Sequence, residues 1–221
     1  HELDDLRSKQ KTIYNILEEC KFDDIEAEML YLLVRKYNPT NLIELGALEG
    51  WTTSWILEGI KKNNHGKLHS FDLKYPWEHS YPNDKFFHNH PLYNHKDATF
   101  TKGNIYDSFD IKQVPHIDFL FIDAEHTESF HQWCLDNLIE PIRKSNKTIP
   151  VIFHDVFIDN TNFNPIFNQV KQYLEKHNIN YFTPSKAFET FNVINKKRDT
   201  KENIHKSERN SSLIFILNSY E

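Results

Sequence analysis

With 221 residues, 26 basic against 32 acidic and 38% hydrophobic, the chain is long enough to bury one good core and too short for two full domains. The formal net charge of −6 excludes an overall electrostatic attraction to nucleic acid or to an anionic membrane, and no stretch approaches the roughly 20 apolar residues that cross a bilayer. Its two cysteines, Cys20 and Cys134, have no CxxC or CxxH neighbour, so zinc and dithiol redox roles drop out and a reduced, cytoplasmic setting is the simplest expectation.

Apolar residues recur at helical spacing from Leu3 to Cys20 and from Asp24 to Tyr37, and Asn38-Pro39 stops the second run. Residues 1–38 are therefore expected to be N-terminal helices, with residues 39–221 as the main domain. Short apolar bursts follow at Asn41 to Leu45, Lys67 to Leu73, Ala98 to Lys102, Ile117 to Ile122 and Ile149 to Phe153. Between them lie amphipathic stretches at Trp51 to Lys62, Thr127 to Ser145 and Asn164 to His177. Bursts alternating with helices predict βαβ units, a parallel sheet and helices on both of its faces. The tail differs: Phe188 to Asn195 and Ser212 to Asn218 read as strands separated only by the charged run Lys196 to Asn210, which predicts an antiparallel pair at the sheet edge.

Residues 74–96 form the one long irregular stretch, rich in Pro, His and aromatic residues. Loops of this length in a compact domain are functional or disordered, and its aromatic content predicts a substrate-side insertion. Trp77, Tyr81, Phe86, Phe87 and Tyr93 offer stacking surfaces for a sugar or an aromatic ring. His79, His88, His90 and His95 are expected to bond a polar substrate or face solvent, rather than to form a His88-x-His90 metal pair.

The first strand runs into Gly46-Ala47-Leu48-Glu49-Gly50 and then into a helix. Glycines at such a junction let a ligand approach the backbone at the carboxyl end of a strand. A dinucleotide site asks for G-x-G-x-x-G to admit a pyrophosphate; Leu48 stands at the second of those glycines, so a ligand without a pyrophosphate is expected. The second strand ends in Asp72, where adenosine-binding sheets place a ribose carboxylate. After the third comes Asn104, able to donate and to accept. The fourth and fifth end in Asp123-Ala124-Glu125-His126 and in His154-Asp155, polar groups gathered at one sheet edge.

The segment Glu44 to Gly50 resembles the first motif of class I S-adenosylmethionine-dependent methyltransferases. The resemblance implies a Rossmann-like, mostly parallel seven-stranded sheet with a C-terminal antiparallel hairpin. It implies that Glu44 orients the methionine amino group, that Gly46, Ala47 and Gly50 line the cofactor, that Asp72 holds the ribose and that Asn104 reaches the adenine. The D-x-x-H of Asp123 to His126 with the later acid resembles, more narrowly, the macrolide sugar O-methyltransferases and the cephalosporin hydroxylase-like proteins. That likeness makes Asp123 and Asp155, with His154, ligands of a divalent metal, and Asp123 a neighbour of the cofactor as well. His126 becomes the general base, an imidazole being suited by an intrinsic pKa of about 6.5. Those relatives tend to carry Glu-Asp where this chain has His154-Asp155, and an imidazole nitrogen is a poor ligand for Mg²⁺. Either the ion is softer, Mn²⁺ or Fe²⁺, or the metal is dispensable.

The function expected is O-methylation of a small polyhydroxylated acceptor, a sugar or sugar nucleotide, without nucleic-acid or membrane partners; a homo-oligomer is left open. Two alternatives stay on the table. A metal-dependent hydrolase or oxygenase leaves Glu44 to Gly50 and Asp72 unexplained, and a non-catalytic methyltransferase-like module of a larger protein is the other. Nucleic-acid methylation lacks a basic stripe and a base-flipping D/N-P-P-Y/F motif.

Overall fold

A computed structural model describes residues 2–17, 24–81, 87–145, 147–156, 165–183 and 212–218. Seven strands form one sheet: β1 (Asn41–Leu45), β2 (Lys67–Asp72), β3 (Ala98–Lys102), β4 (Phe119–Ile122), β5 (Ile149–Phe153), β6 (Tyr181–Phe182) and β7 (Leu213–Leu217). Their order is β3-β2-β1-β4-β5-β7-β6. Strands β1 to β5 pair in parallel, and β7 runs antiparallel to both β5 and β6. This is the fold expected, a Rossmann-like, mostly parallel sheet closed by an antiparallel C-terminal pair.

Central strands of a parallel sheet are covered on both faces and read as unbroken apolar runs; all four residues of β4 and all five of β5 are buried. Helices α1 (Glu2–Tyr14), α2 (Asp24–Tyr37) and α3 (Trp51–Asn63) cover one face around Trp55, Ile56 and Phe121. The opposite face is covered by α6 (Glu128–Cys134), a π-turn over Leu135–Ile139, α7 (Glu140–Arg143) and α8 (Pro165–Lys176), around Leu138, Phe153 and Phe215. The single helix expected over Thr127 to Ser145 is thus continuous but not regular. Pro141 has no N–H to give to the carbonyl of Asn137, and the widened turn absorbs the loss.

The sheet order reverses between β2-β1 and β4-β5, so the loops after β1 and β4 part and leave a crevice at their carboxyl ends. The short helices α4 (Pro76–Ser80) and α5 (Ile105–Ser108) stand on the β2 and β3 side of it. The fourth burst begins as a strand only at Phe119, because a 3₁₀ segment over Ile111–His116 containing Pro115 precedes it. Asp118 then anchors that end by accepting bonds from the amides of Thr40 and Asn41 and from Lys147 Nζ. The strand expected over Phe188 to Asn195 and the cysteine Cys20 lie outside the described residues. Cys134 is buried and free. No helix among the described residues is long and apolar enough to cross a membrane.

Candidate active site

A cavity of about 880 Å³ opens at this crevice, within the size of pockets that hold cofactors and small ligands. Its walls come from the ends of four parallel strands: Gly46 to Glu49 after β1, Asp72 to Lys74 at β2, Asn104 to Tyr106 after β3 and Asp123 to His126 after β4, with His154 and Asp155 closing it from β5. Backbone bonds from Gly46 N to Phe71 O, Asp123 N to Leu45 O and His154 N to Ile122 O extend the sheet's ladder into these loops and fix their spacing.

The β1 loop is built for close approach. Gly46 has φ +91°, and a Cβ there would lie 2.0 Å from the carbonyl oxygen of Asp123. Leu48, at φ +48°, holds a left-handed conformation without being glycine, a local cost of roughly 1–2 kcal/mol. Gly50, at φ +87°, caps α3 while Leu92 of the insertion packs where its Cβ would be, so it supports the loop and is not part of the cavity wall. Asp72 Oδ2 accepts from the amides of Ala47 at 2.8 Å and Leu48 at 2.9 Å, clasping the loop from the neighbouring strand.

Glu44 lies beneath this loop and behind the cavity wall. It is fully buried and accepts from Thr52 Oγ1 at 2.9 Å, Thr53 Oγ1 at 2.8 Å and Ser70 Oγ at 2.7 Å. Burial pushes its carboxyl up to about 7, against the lowering effect of those three hydroxyls. Of the three, Thr52 borders the cavity. Asn104 also borders it, and its Oδ1 caps α5 by accepting from Tyr106 N, which leaves the amide NH₂ as its donor. Tyr106 packs on Trp133 and donates to Glu125 Oε2 at 3.4 Å. Glu125 in turn accepts from Thr127 Oγ1.

At the other end of the cavity, single oxygen or nitrogen atoms of Asp123, His126 and Asp155 all lie within 4.8 Å of one another. His126 Nε2 is 3.6 Å from Asp155 Oδ2 and 3.9 Å from Asp123 Oδ1. Asp155 itself sits at φ +52°, a conformation that Asp tolerates better than most residues. His154, expected among the ligands, is not one of the three described residues whose donor atoms converge. It is buried, with Nδ1 3.1 Å from Asp123 Oδ1 and Nε2 3.6 Å from Glu26 Oε2. Burial alone lowers the pKa of an imidazole, but here the carboxylates of Asp123 and Glu26 outweigh it and hold His154 well above its ordinary value. Glu26 carries no motif and precedes β1 by 15 residues, so nothing in the sequence pointed to it.

The insertion contributes Lys74 and His79 to the cavity wall. Trp77, Tyr81, Phe87 and Tyr93 do not border it, and Phe86 lies outside the described residues. Trp77 instead packs on Tyr75, Tyr93 and Phe100, with His90 at 6.4 Å in a T-shaped arrangement. His88 is exposed while His90 is buried and pushed down to about 4 by that burial, so these two do not form a pair. His95 is half-buried, its Nδ1 accepting from Asp97 N.

A seven-stranded sheet of this order, with β7 antiparallel and a cavity at its switch point walled by a glycine loop and a β2 carboxylate, defines the class I, S-adenosylmethionine-dependent methyltransferase class. The family model described as "Methyltransferase domain" matches residues 43–156, and the chain belongs to that family. No curated protein matches it in sequence. Solved structures similar to it include the O-methyltransferase from Bacillus cereus in complex with S-adenosylhomocysteine, at 14% identity and a TM-score of 0.53, covering 99% of this chain and 91% of that one. The O-methyltransferase TomG from Streptomyces achromogenes, involved in tomaymycin synthesis and solved with S-adenosylmethionine, is similar at 12% identity and a TM-score of 0.56, covering 97% and 89%. Cofactor-bound Rv0187 from MTB is similar at 11% identity and a TM-score of 0.57, covering 97% and 89%.

Proposed function

We propose that the protein transfers a methyl group from S-adenosylmethionine to a hydroxyl of a small polyhydroxylated acceptor in a cytoplasmic setting. One observation carries this reading: a single cavity joins the Gly46 to Leu48 loop and Asp72, suited to an adenosine, with the Asp123, His126 and Asp155 cluster, suited to activating an alcohol. The O-methyltransferases it resembles in fold agree with an oxygen acceptor. A sugar or sugar nucleotide is the acceptor class favoured, on the likeness of Asp123 to His126 to the sugar O-methyltransferases.

In the step proposed, the acceptor oxygen attacks the sulfonium methyl in line. An O–C bond forms, the S–C bond breaks, and the hydroxyl proton passes to His126 Nε2, leaving S-adenosylhomocysteine, the methyl ether and a protonated imidazole. Holding nucleophile and methyl group in near-attack geometry supplies most of the acceleration; proton removal by a positioned base adds roughly 10²–10⁴-fold. Glu44, bonded to three hydroxyls, acts on the cofactor through Thr52 and the loop above it.

The same cluster fits a divalent ion. Two carboxylates and one imidazole are a donor set for Mn²⁺ or Fe²⁺ more than for Mg²⁺. Asp123, His126 and Asp155 would hold such an ion, which would supply Lewis acidity to the acceptor hydroxyl. His126 Nε2 cannot both bind a metal and take the proton, and chelation separates the two readings. With His126 as base, exhaustive chelation leaves turnover intact and His126→Ala abolishes it without loss of cofactor binding. With His126 as ligand, chelation stops turnover and Mn²⁺ restores it.

The test of the main proposal is calorimetric titration with S-adenosylmethionine, followed by S-adenosylhomocysteine release against monosaccharides, sugar nucleotides and catechols. Binding with turnover of a hydroxyl acceptor is the expected result. Absence of binding at millimolar cofactor overturns it.

A further inference from the structure

A carboxylate is rarely buried unless it is paired, and Glu26 on α2 is 2% exposed although its helix belongs to the N-terminal pair and not to the cavity wall. Its two oxygens are divided. Oε1 accepts from Ser212 N, just before β7, at 3.0 Å; Oε2 lies 3.6 Å from His154 Nε2. The opposite nitrogen of that ring lies 3.1 Å from Asp123 Oδ1 and 3.6 Å from Asp155 Oδ1. The result is a line of side chains, Glu26, His154, Asp123, running from the N-terminal helix α2 to the reacting end of the cavity.

We propose that Glu26 is a positioning residue of the active site, fixing through the His154 ring the orientation of the Asp123 carboxylate beside His126. The backbone of His154 is already tied to β4 through Ile122 O, so what remains free is rotation of its ring. Nδ1 faces two carboxylates on the cavity side, and a ring held only from that side can tilt toward either. Glu26 Oε2 faces the far nitrogen at 3.6 Å and biases the ring between these tilts. The backbone of Asp123 is in turn fixed by its close approach to Gly46 and by its amide's bond to Leu45 O, so what its neighbours can shift is the carboxylate. A change at Glu26 therefore reaches the cavity through the side chains of His154 and Asp123. The N-terminal helices are then part of the active site.

This inference rests on the reading that Asp123 stands at the reacting centre, and its test has one arm that is independent of activity. Glu26→Gln keeps the size of the side chain and an oxygen for Ser212 N while removing the charge. In a crystal structure of this variant with S-adenosylmethionine, the His154 ring is expected to have rotated and Asp123 Oδ1 to lie beyond hydrogen-bond reach of it. With a hydroxyl acceptor, kcat is expected to fall about 10–100-fold, as when an outer partner of a site residue is lost, while the KM for S-adenosylmethionine changes less than about twofold. Glu26→Asp, which keeps the charge, is expected to recover part of kcat, and it serves as the test variant should Glu26→Gln fail to fold. Glu26→Gln combined with His154→Asn is expected to be no slower than His154→Asn alone, because one acts through the other. An unmoved Asp123 in the variant crystal overturns the proposal whether or not an acceptor is known. So does an unchanged kcat, or an additive double variant.

Discussion

Asp72 was read from the sequence as a ribose ligand, and it also clasps the β1 loop through the amides of Ala47 and Leu48. Asp72→Ala is therefore expected to loosen the loop and, with Asp72 proposed as the ribose ligand, to weaken S-adenosylmethionine binding about 10–100-fold, or about 1.4–3 kcal/mol, by calorimetry. Gly46→Ala is more severe. Its Cβ would meet the Asp123 carbonyl at 2.0 Å in a left-handed conformation, and a thermal melt should show a loss of about 2 kcal/mol or more. Glu44 governs the pH dependence at this scale. Its carboxyl rises from 4.5 to about 7 on burial, so the folded protein binds a proton more tightly than the unfolded one. Stability from this group is full below about pH 4.5 and is lost as pH rises toward 7, by about 3 kcal/mol at 1.36 kcal/mol per unit. Glu44→Gln should flatten that slope in denaturant titrations run between pH 5 and 8; an unaltered slope rejects this account. The acids at strand ends were legible because an apolar burst followed by Asp announces the carboxyl edge of a sheet. Glu26 and the Thr52, Thr53 and Ser70 shell were not, because a hydroxyl or a helical Glu has no pattern until the fold brings it to its partner.

Strands β1, β3 and β5 fall at the expected limits, and β5, buried throughout, reads as the unbroken apolar run of a strand covered on both faces. Two residues of β6 leave no periodicity to read, so Tyr181–Phe182 was missed as a partner of β7. In the insertion, Trp77 packs on Tyr93 and on Phe100 of β3, and neither Trp77 nor Tyr93 borders the cavity. Packing between elements was also invisible. Gly59 looks like a weak point in α3, yet a Cβ there would meet Val34 Cγ1 of α2 at 2.8 Å. Gly59→Val should overpack the seam by about 1–3 kcal/mol, and Val34→Ala should recover part of that loss. The two changes are thus expected to be non-additive in urea melts; simple additivity would show that the helices do not press on each other there.

For the molecule as a whole, the two cores and the cavity are joined by shared strands. Phe121 and Ile152 of β4 and β5 pack with the N-terminal helices, while Leu120 and Phe153 of the same strands pack with α6 and α8. Unfolding either face exposes the other, so one cooperative transition is expected, with circular dichroism and tryptophan fluorescence coinciding. Trp51 and Trp55 report the N-terminal core and Trp133 the opposite one, so fluorescence samples both. A ligand that closes on the loops of β1, β2 and β4 should shift this single transition and not split it. At S-adenosylmethionine 100-fold above its dissociation constant the gain is about 2.7 kcal/mol, and for a chain of this size each kcal/mol moves the midpoint about 2–4 °C. The melt should therefore rise by about 5–11 °C in both signals together. Asp72→Ala should melt alone near its own midpoint and gain much less at the same cofactor concentration. Two transitions, with only the Trp133 signal moved by cofactor, would mean that the N-terminal helices fold apart from the site. That result would also break the physical link from Glu26 to Asp123.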